Sequence, residues 1–357
     1  MSKKAMIAMS GGVDSSVAAY LIKQQGYDAI GVTMKLFHNE DIGLKRTKTC
    51  CSLDDVEDAR SVAFKLDIPY YVFNFTDNFE SQVIDRFIKA YKNGATPNPC
   101  IDCNRYIKFE QLMLRAKQLS YAYVVTGHYS SIEYDVNSKR FLLKKAIDDT
   151  KDQSYMLYAL TQEQLASTLF PLGKLKKSEV REIALKNGFL NAQKHDSQDI
   201  CFVPDGDYAK FIEQHTGKRY EKGNFLDTYG NVLGEHKGII RYTVGQRKGL
   251  GLSFPNPMYV CEKDIDKNTV ILGEEKDLYA KSLIAKDINL IACDKIEKPM
   301  RVKAKVRYKQ VEQWATIEQT DNDKIHVEFD EPQRAIAQGQ AVVFYDGDVV
   351  VGGGTIE

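Results

Sequence analysis

The chain has 357 residues, 43% of them hydrophobic and 27% charged, and its 49 Lys/Arg balance 49 Asp/Glu to a formal net charge of zero. That length accommodates two or three domains with sizeable cores, and the neutral balance excludes a global field for nucleic acid or membrane, so any such contact must come from local patches. No run approaches a bilayer span, the apolar stretch in the opening MSKKAMIAMSGG is too short for a signal peptide, and seven cysteines in such a chain fit a reducing, cytoplasmic compartment where thiols serve metals or chemistry.

In chain order, AMIAM (5–9), AIGVTM (29–34), YYVFNF (70–75) and YVVTG (123–127) read as short buried strands. Between them, DSSVAAYLIKQQG and DDVEDARSVAFKLD space Val13, Val17, Tyr20 and Leu21, then Val56, Ala59, Ala63 and Leu66, as helices do. Asp and Ser at the starts supply caps, and Gly26 a stop. This βαβα rhythm predicts a parallel sheet covered by helices, with ligands at the carboxyl ends of its strands. Near residue 205 the texture changes to short β-type runs between glycine-rich turns: GIIRYTVGQRKGLGLSF, MYVCEKDIDKNTVILG, KIHVEFD and AVVFYDGDVVVGGGTI. Boundaries near 206 and 280 give an α/β domain over 1–205, a small middle domain over 206–280 and a C-terminal β-barrel over 281–357.

The stretch AMSGGVDSSVAAYL (8–21) joins the first strand to the first helix. Its glycines let the backbone approach an anion, and the N–H groups of a helix start point at it. Ser10 and Ser15 add hydroxyl donors, and Asp14 either orients the loop or holds a magnesium ion. A capped helix after a glycine turn would explain Gly11-Gly12 alone, but not the whole Ser-Gly-Gly-x-Asp-Ser string. The string resembles the PP-loop of ATP pyrophosphatases, which cleave ATP between the α and β phosphates; it lacks the Lys-Ser/Thr of a Walker A loop.

The cysteines divide by context. Cys50 and Cys51 are adjacent and precede a helical segment, where packing is the plainer reading. Cys261 and Cys293 fall in β-like runs and read as core residues. Cys100 and Cys103 follow an Asn-Pro turn in NPCIDCN, and Cys201 lies in the polar stretch HDSQDICFVPDGD. Three thiolates suit an iron–sulfur cluster with one open iron, or a zinc with an open site. Equally, two of them suit a transient disulfide formed after one delivers sulfur.

The strings SGGVDSS, TPNPCIDCNRYIKF, TGHY, KDQSYMLY, LGKLKKSEVR, DSQDICF, YTVGQRKGLG, VRYKQ and GQAVVFYDGDVVVGGGTI occur in this order over nearly the whole chain. Together they closely resemble the bacterial tRNA-specific 2-thiouridylases. The resemblance implies a tRNA-uridine 2-sulfurtransferase that adenylates the C2 oxygen of the wobble uridine in the tRNAs for lysine, glutamate and glutamine. Sulfur then displaces AMP, because uracil O2 leaves poorly until activated and a persulfide is a good nucleophile at neutral pH. By resemblance Cys103 matches the nucleophile and Cys201 the persulfide carrier. Ala8, Met9, Ser10, Gly11, Gly12, Val13, Asp14, Ser15, Met34 and Gly127 match the ATP pocket. Asn98, Pro99 and Cys100 fall where the target base is held. Lys151, Asp152, Gln153, Arg307 and Tyr308 match tRNA-contacting segments, and His128 and Gln340 single tRNA contacts. The implied partners are tRNA and a sulfur donor, either a cysteine desulfurase or a relay protein, with ATP and Mg2+ as cofactors.

One departure stands out. Many relatives carry Asp at the position of Cys100, where it is thought to act as an acid–base group, and Asp102 is not its equivalent. The two-cysteine form belongs to a subset that is the better candidate for a [4Fe–4S] cluster on Cys100, Cys103 and Cys201. The persulfide route is the expectation here.

One further signal stands without the family. MRVKAKVRYKQ (300–310) alternates strictly, which puts Arg301, Lys303, Lys305, Arg307 and Lys309 on one face of a strand and Val302, Ala304, Val306 and Tyr308 on the other. Residues 281–357 hold 11 Lys/Arg and 13 Asp/Glu, so composition does not account for the stripe. A solvated barrel face is the plain reading, and binding to an RNA backbone the functional one. Lys174, Lys176, Lys177 and Arg181 fit a solvated helix as well as a tRNA patch. The competing classes are an amide ligase on the same loop, which would need no thiols, and a non-catalytic tRNA-binding module, which would need no intact loop.

Overall fold

A computed structural model of the protein describes residues 3–37, 53–194 and 200–357; Cys50 and Cys51 lie outside them. The first strands are β1 (Lys4–Ala8), β2 (Asp28–Lys35), β3 (Tyr70–Asn74) and β4 (Tyr123–Val125). A hairpin follows, β5 (Ser131–Asp135) and β6 (Arg140–Lys144), and then a two-residue strand, β7 (Thr168–Leu169). The order β3-β2-β1-β4-β7 is parallel throughout, as the βαβα rhythm predicts. In β1 and β2 consecutive residues are buried because helices cover both faces. YYVFNF departs from the expectation of a buried strand. β3 is an edge strand with Tyr71 and Val72 exposed, since among the described residues no strand pairs beyond it in the sheet.

The helix Val13–Gln24 buries Val13, Val17, Ala18, Ala19 and Ile22. Tyr20 and Leu21 are only half-buried, so the three consecutive small residues Val17-Ala18-Ala19 set its contact face. In the helix Leu53–Lys65 the buried apolar positions are Ala59, Val62 and Ala63.

The middle segment adds a helix, Tyr208–Thr216, and a sheet ordered β10-β11-β8-β9, formed by β8 (Gly223–Leu226), β9 (Val232–His236), β10 (Tyr259–Asp264) and β11 (Thr269–Gly273). After it come β12 (Tyr279–Leu290), β13 (Met300–Lys305), β14 (Gln313–Asp321), β15 (Lys324–Arg334), β16 (Ala341–Asp346) and β17 (Val349–Ile356). They run β12-β15-β14-β13-β16-β17, and β12 pairs β17 antiparallel to close a barrel. Its interior holds Val302, Ala304, Val306, Ile317, Val327, Phe329 and Phe344. The β5–β6 hairpin joins this sheet through Val349 opposite Lys144.

One apolar cluster ties the layers together, running from Met6 and Ile30 through Phe79, Phe87 and Phe202 to Phe225, Val260, Val343 and Tyr345. The Phe202 ring is the hinge of this packing, with centroids 5.7 Å from Phe79, 5.3 Å from Phe87 and 5.2 Å from Phe211. It fixes the chain immediately after Cys201.

Candidate active site

The phosphate loop leaves the carboxyl end of β1. Gly11 has φ +73°, and a Cβ there would lie 2.3 Å from the Asp55 carbonyl oxygen, so glycine is required. The Ser15 hydroxyl donates to the Gly12 carbonyl at 3.0 Å and accepts from the Ser10 amide at 3.2 Å. Ser15 is therefore buried and braces the loop, whereas Ser10 is exposed and open to a ligand. Met34 ends β2 beside it, half-buried, and Gly127 follows β4. A Cβ on Gly127 would sit 2.8 Å from both the Asp14 carbonyl carbon and the Ser15 nitrogen. Gly127→Ala must push the loop outward, and we expect loss of most ATP affinity in calorimetric titration, with a far-UV spectrum like that of wild type.

Asp14 is held from two sides. One carboxylate oxygen accepts from Tyr129 Oη at 2.8 Å and Lys177 Nζ at 2.7 Å; the other accepts from Lys177 at 2.8 Å. Lys177 opens the helix Lys177–Lys186, and its own amide is capped by Asp148 at 2.9 Å. Tyr129 is positioned by Gln153, whose side-chain oxygen accepts from the Tyr129 amide at 3.0 Å and whose amide donates to the Tyr129 carbonyl at 2.8 Å. Asp152 folds that segment by accepting from the amides of Ala146 and Ser154 and from the Ser154 hydroxyl. On the far side, Asn191 donates to the Gly11 carbonyl and to Ser16 Oγ, both at 2.9 Å, while Lys194 bridges Asp55 and Asp58 at 2.6 Å each. Sequence reasoning read Lys177 as fitting a solvated helix as well as a tRNA patch, and gave no role to Tyr129, Asn191 and Lys194. Nothing local marks them, since they reach the loop from more than a hundred residues away.

The thiol site is built on one continuous helical stretch. Asn98 caps it by accepting from the Cys100 amide at 3.2 Å, and Pro99 takes the first helical position. A short α-turn, Pro99–Asp102, passes into a π-helical segment, Cys103–Gln111, and then into Leu112–Gln118. Such π-segments are frequent at functional sites. Cys100 is exposed, whereas Cys103 and Cys201 are half-buried, both against the apolar cluster that Phe202 anchors. Asp102 turns to Arg86 at 3.7 Å, and burial, only partly offset by the charges of Arg86 and Arg105, raises its carboxyl to about 6.

Asn104 and Lys108 continue this stretch toward TGHY. Asn104 donates to the Met156 carbonyl at 3.0 Å, and Lys108 donates to Asn104 at 2.9 Å and lies 3.4 Å from His128 Nε2. His128 is buried between Phe109 and Phe170, with Nδ1 2.7 Å from Thr126 Oγ1. Burial, then the Lys108 charge, holds its imidazole well below its usual value, hence neutral. So placed, His128 offers almost no surface to RNA and instead props the strand end that carries Gly127.

The barrel closes over the Asn-Pro turn. Gln340 donates to the Thr96 carbonyl at 2.7 Å, and the Thr96 amide donates to Gln338 at 2.7 Å. Burial, then the charges of Asp152 and Cys100, raises the Tyr308 phenol. The cation stripe departs from its expected register. β13 ends at Lys305, so Arg307 and Lys309 leave the strand. Arg307 turns inward and donates to the carbonyls of Val244 and Ala335, each at 3.0 Å. Those two tertiary acceptors override the alternation. Arg301 and Lys303 do keep the outer face, opposite buried Val302 and Ala304. Cys261 and Cys293 are half-buried rather than core, and Cys293 falls between β12 and β13; burial is the main cause raising both thiols.

A parallel sheet with this phosphate loop defines a nucleotide-using HUP domain, and residues 3–205 match the model of the tRNA methyl transferase HUP domain. Residues 209–274 match the tRNA methyl transferase PRC-barrel domain, and 280–356 the aminomethyltransferase beta-barrel domain. The tRNA-specific 2-thiouridylase MnmA of Clostridioides difficile is 56% identical over 100% of this chain and 99% of its own length. That of Acetivibrio thermocellus is 54% identical over 99% of each. The chain belongs to the tRNA-specific 2-thiouridylase MnmA family. Among solved structures, a 4-thiouridine synthetase–RNA complex with bound ATP overlaps 60% of this chain and 50% of that chain at 19% identity, with a TM-score of 0.35.

Proposed function

We propose that this enzyme is an ATP-dependent tRNA-uridine 2-sulfurtransferase in which the loop at Ser10–Ser15 receives ATP·Mg2+ and the cysteines deliver sulfur to the wobble uridine of lysine, glutamate and glutamine tRNAs. The observation that carries the reading is the placement of Cys103 and Cys201 against one apolar cluster, with Cys100 a helical turn from Cys103. The C2 oxygen of uracil attacks the α phosphorus, the α–β phosphoanhydride bond breaks, and the β and γ phosphates leave as pyrophosphate. Persulfide sulfur on Cys201 then attacks C2, and AMP departs with the former C2 oxygen. Cys103 thiolate attacks the Cys201 sulfur of the resulting C2–S–S–Cys201 adduct; the S–S bond breaks with the C2-bound sulfur as leaving group, giving 2-thiouridine and a Cys103–Cys201 disulfide. A thiol reductant restores the pair, and a cysteine desulfurase or relay protein reloads Cys201. Ala8, Met9, Gly12 and Val13 shape the loop, and Lys177 and Asp14 arrange its charge. Asn98 and Pro99 flank the base, while Lys151, Gln153, Tyr308 and Gln340 border the RNA. We place the domain limits near 206 and 280 and the enzyme in the cytoplasm; among the described residues no helix is long and apolar enough to cross a membrane.

Cys100, Cys103 and Cys201 are also the donor set that a [4Fe–4S] cluster takes, and such a cluster would supply an open iron to carry sulfide. The persulfide route, which places no sulfur on the exposed Cys100, is the one taken here. Cys100→Asp separates the two. Carboxylate holds iron–sulfur clusters poorly, so the variant should keep substantial thiolation in iron-free buffer. Loss of thiolation, together with wild-type activity that tracks iron content, would overturn the persulfide route.

A further inference from the structure

Trp314, the one tryptophan of the chain, lies on the outer face of the barrel with half of its surface (50%) exposed. It pairs across the β13–β14 ladder with Lys303. The Arg301 guanidinium sits 5.0 Å from its ring centre and the Lys303 ammonium 5.5 Å. An exposed indole is costly to display to water, and here two cations fix its orientation on rigid strands.

We propose that Trp314, with Arg301 and Lys303, is a stacking site for one unpaired nucleotide of the substrate RNA, near the target base in the same loop. This rests on the sulfurtransferase reading. Continuity supports it. Along β13 the outward cations run from Arg301 through Lys303 to Lys305, roughly 13 Å at strand spacing. Lys305 lies 5.7 Å from the ring centre of Tyr308 and 5.9 Å from that of Tyr155, and Met156, next in the chain, accepts from Asn98 Nδ2 at 3.4 Å, two residues from Cys100. Lys145 joins the track 4.6 Å from the Tyr345 ring. A strand whose base occupies the Cys100 site therefore meets this track on leaving it.

Charge supports RNA as well. The face carries Arg301, Lys303, Lys305 and Lys145 against three acids: Asp330 on Arg301, Glu312 between Lys145 and Lys303, and Asp152, whose charge acts on Lys305. The acids hold the cations in place in the free protein, and the surplus remains positive. An aromatic face stacks any base, and adjacent cations meet the phosphates on either side, which is how single strands are gripped without sequence readout.

Because the tryptophan is unique, its emission under 295 nm excitation reports this site alone. Full-length protein titrated with a tRNA transcript should lose at least half of that emission, in step with binding measured independently on filters. Trp314→Ala should raise the KM for tRNA about tenfold, the scale of one lost base stack, with kcat nearly unchanged. Trp314→Phe should restore most of the affinity and keep the barrel folded. Unchanged emission in a complex that filters show to have formed, or a wild-type KM in Trp314→Ala, overturns the stacking site while leaving the sulfurtransferase reading intact. Absence of any tRNA binding or thiolation by the wild type overturns both.

Discussion

Cys103→Ser and Cys201→Ser should each lower 2-thiouridine formation at least about a thousandfold, as loss of a nucleophile does. Serine has nearly the size of cysteine, so the half-buried pockets at both positions tolerate it. Its oxygen neither carries sulfane sulfur nor completes the disulfide that releases sulfur to the base. Adenylation needs no thiol, so Cys201→Ser should still release pyrophosphate when tRNA is present. Cys261→Ser and Cys293→Ser should stay within about twofold of wild type, since burial raises both thiols and so disfavours the reactive thiolate. Mass spectrometry of nucleosides from the reacted tRNA measures the product, and a phosphate-release assay measures the first step. Sustained thiolation by either of the first two variants would remove those cysteines from the mechanism.

Parts of this site were legible in sequence because their geometry is local. The Asn98 cap, Pro99 at the first helical position and the spacing of Cys100 from Cys103 all follow from one helix start. The glycine at residue 11 is likewise a local demand of the loop. Strands β1 and β2 were legible as uninterrupted apolar runs, whereas β3 has the same composition at an unpaired edge, and composition does not report strand order. The hairpin β5–β6 escaped notice because its residues are half-exposed and its sheet partner, Val349, comes two hundred residues later.

The stripe from Arg301 to Lys309 shows where periodicity stops informing. Its alternation continues in sequence past Lys305, but the strand does not. Two carbonyl oxygens, from residues 244 and 335, draw Arg307 inward, and no window of ten residues contains either of them. In this structure Arg307 braces the middle segment against the barrel. The outward cations of β13 are Arg301, which is exposed, and Lys303 and Lys305, which are half-buried.

The same limit hid the pair at the centre of the phosphate loop, and it leads to the second large effect. Asp14 and Lys177 are 163 positions apart, yet both carboxylate oxygens are bound by the one ammonium. The side chain of Lys177 is only 11% exposed and that of Asp14 30%. Removing Asp14 takes both carboxylate contacts from a largely buried ammonium; breaking a fully buried pair costs about 3–5 kcal/mol, and less here, where water reaches the carboxylate. Asp14→Ala should therefore lower the melting temperature by several degrees and abolish tRNA-dependent pyrophosphate release. Lys177→Met, which keeps the chain length and removes the charge, should reduce that release at least about a hundredfold, because the loop then presents an uncompensated carboxylate to an incoming polyphosphate. If the two side chains act as a unit, the double variant should be no worse than Asp14→Ala alone, in both melting temperature and rate. Fully additive losses would mean that Asp14 and Lys177 serve the ATP site separately. Wild-type pyrophosphate release in Asp14→Ala would remove the loop's carboxylate from the chemistry altogether.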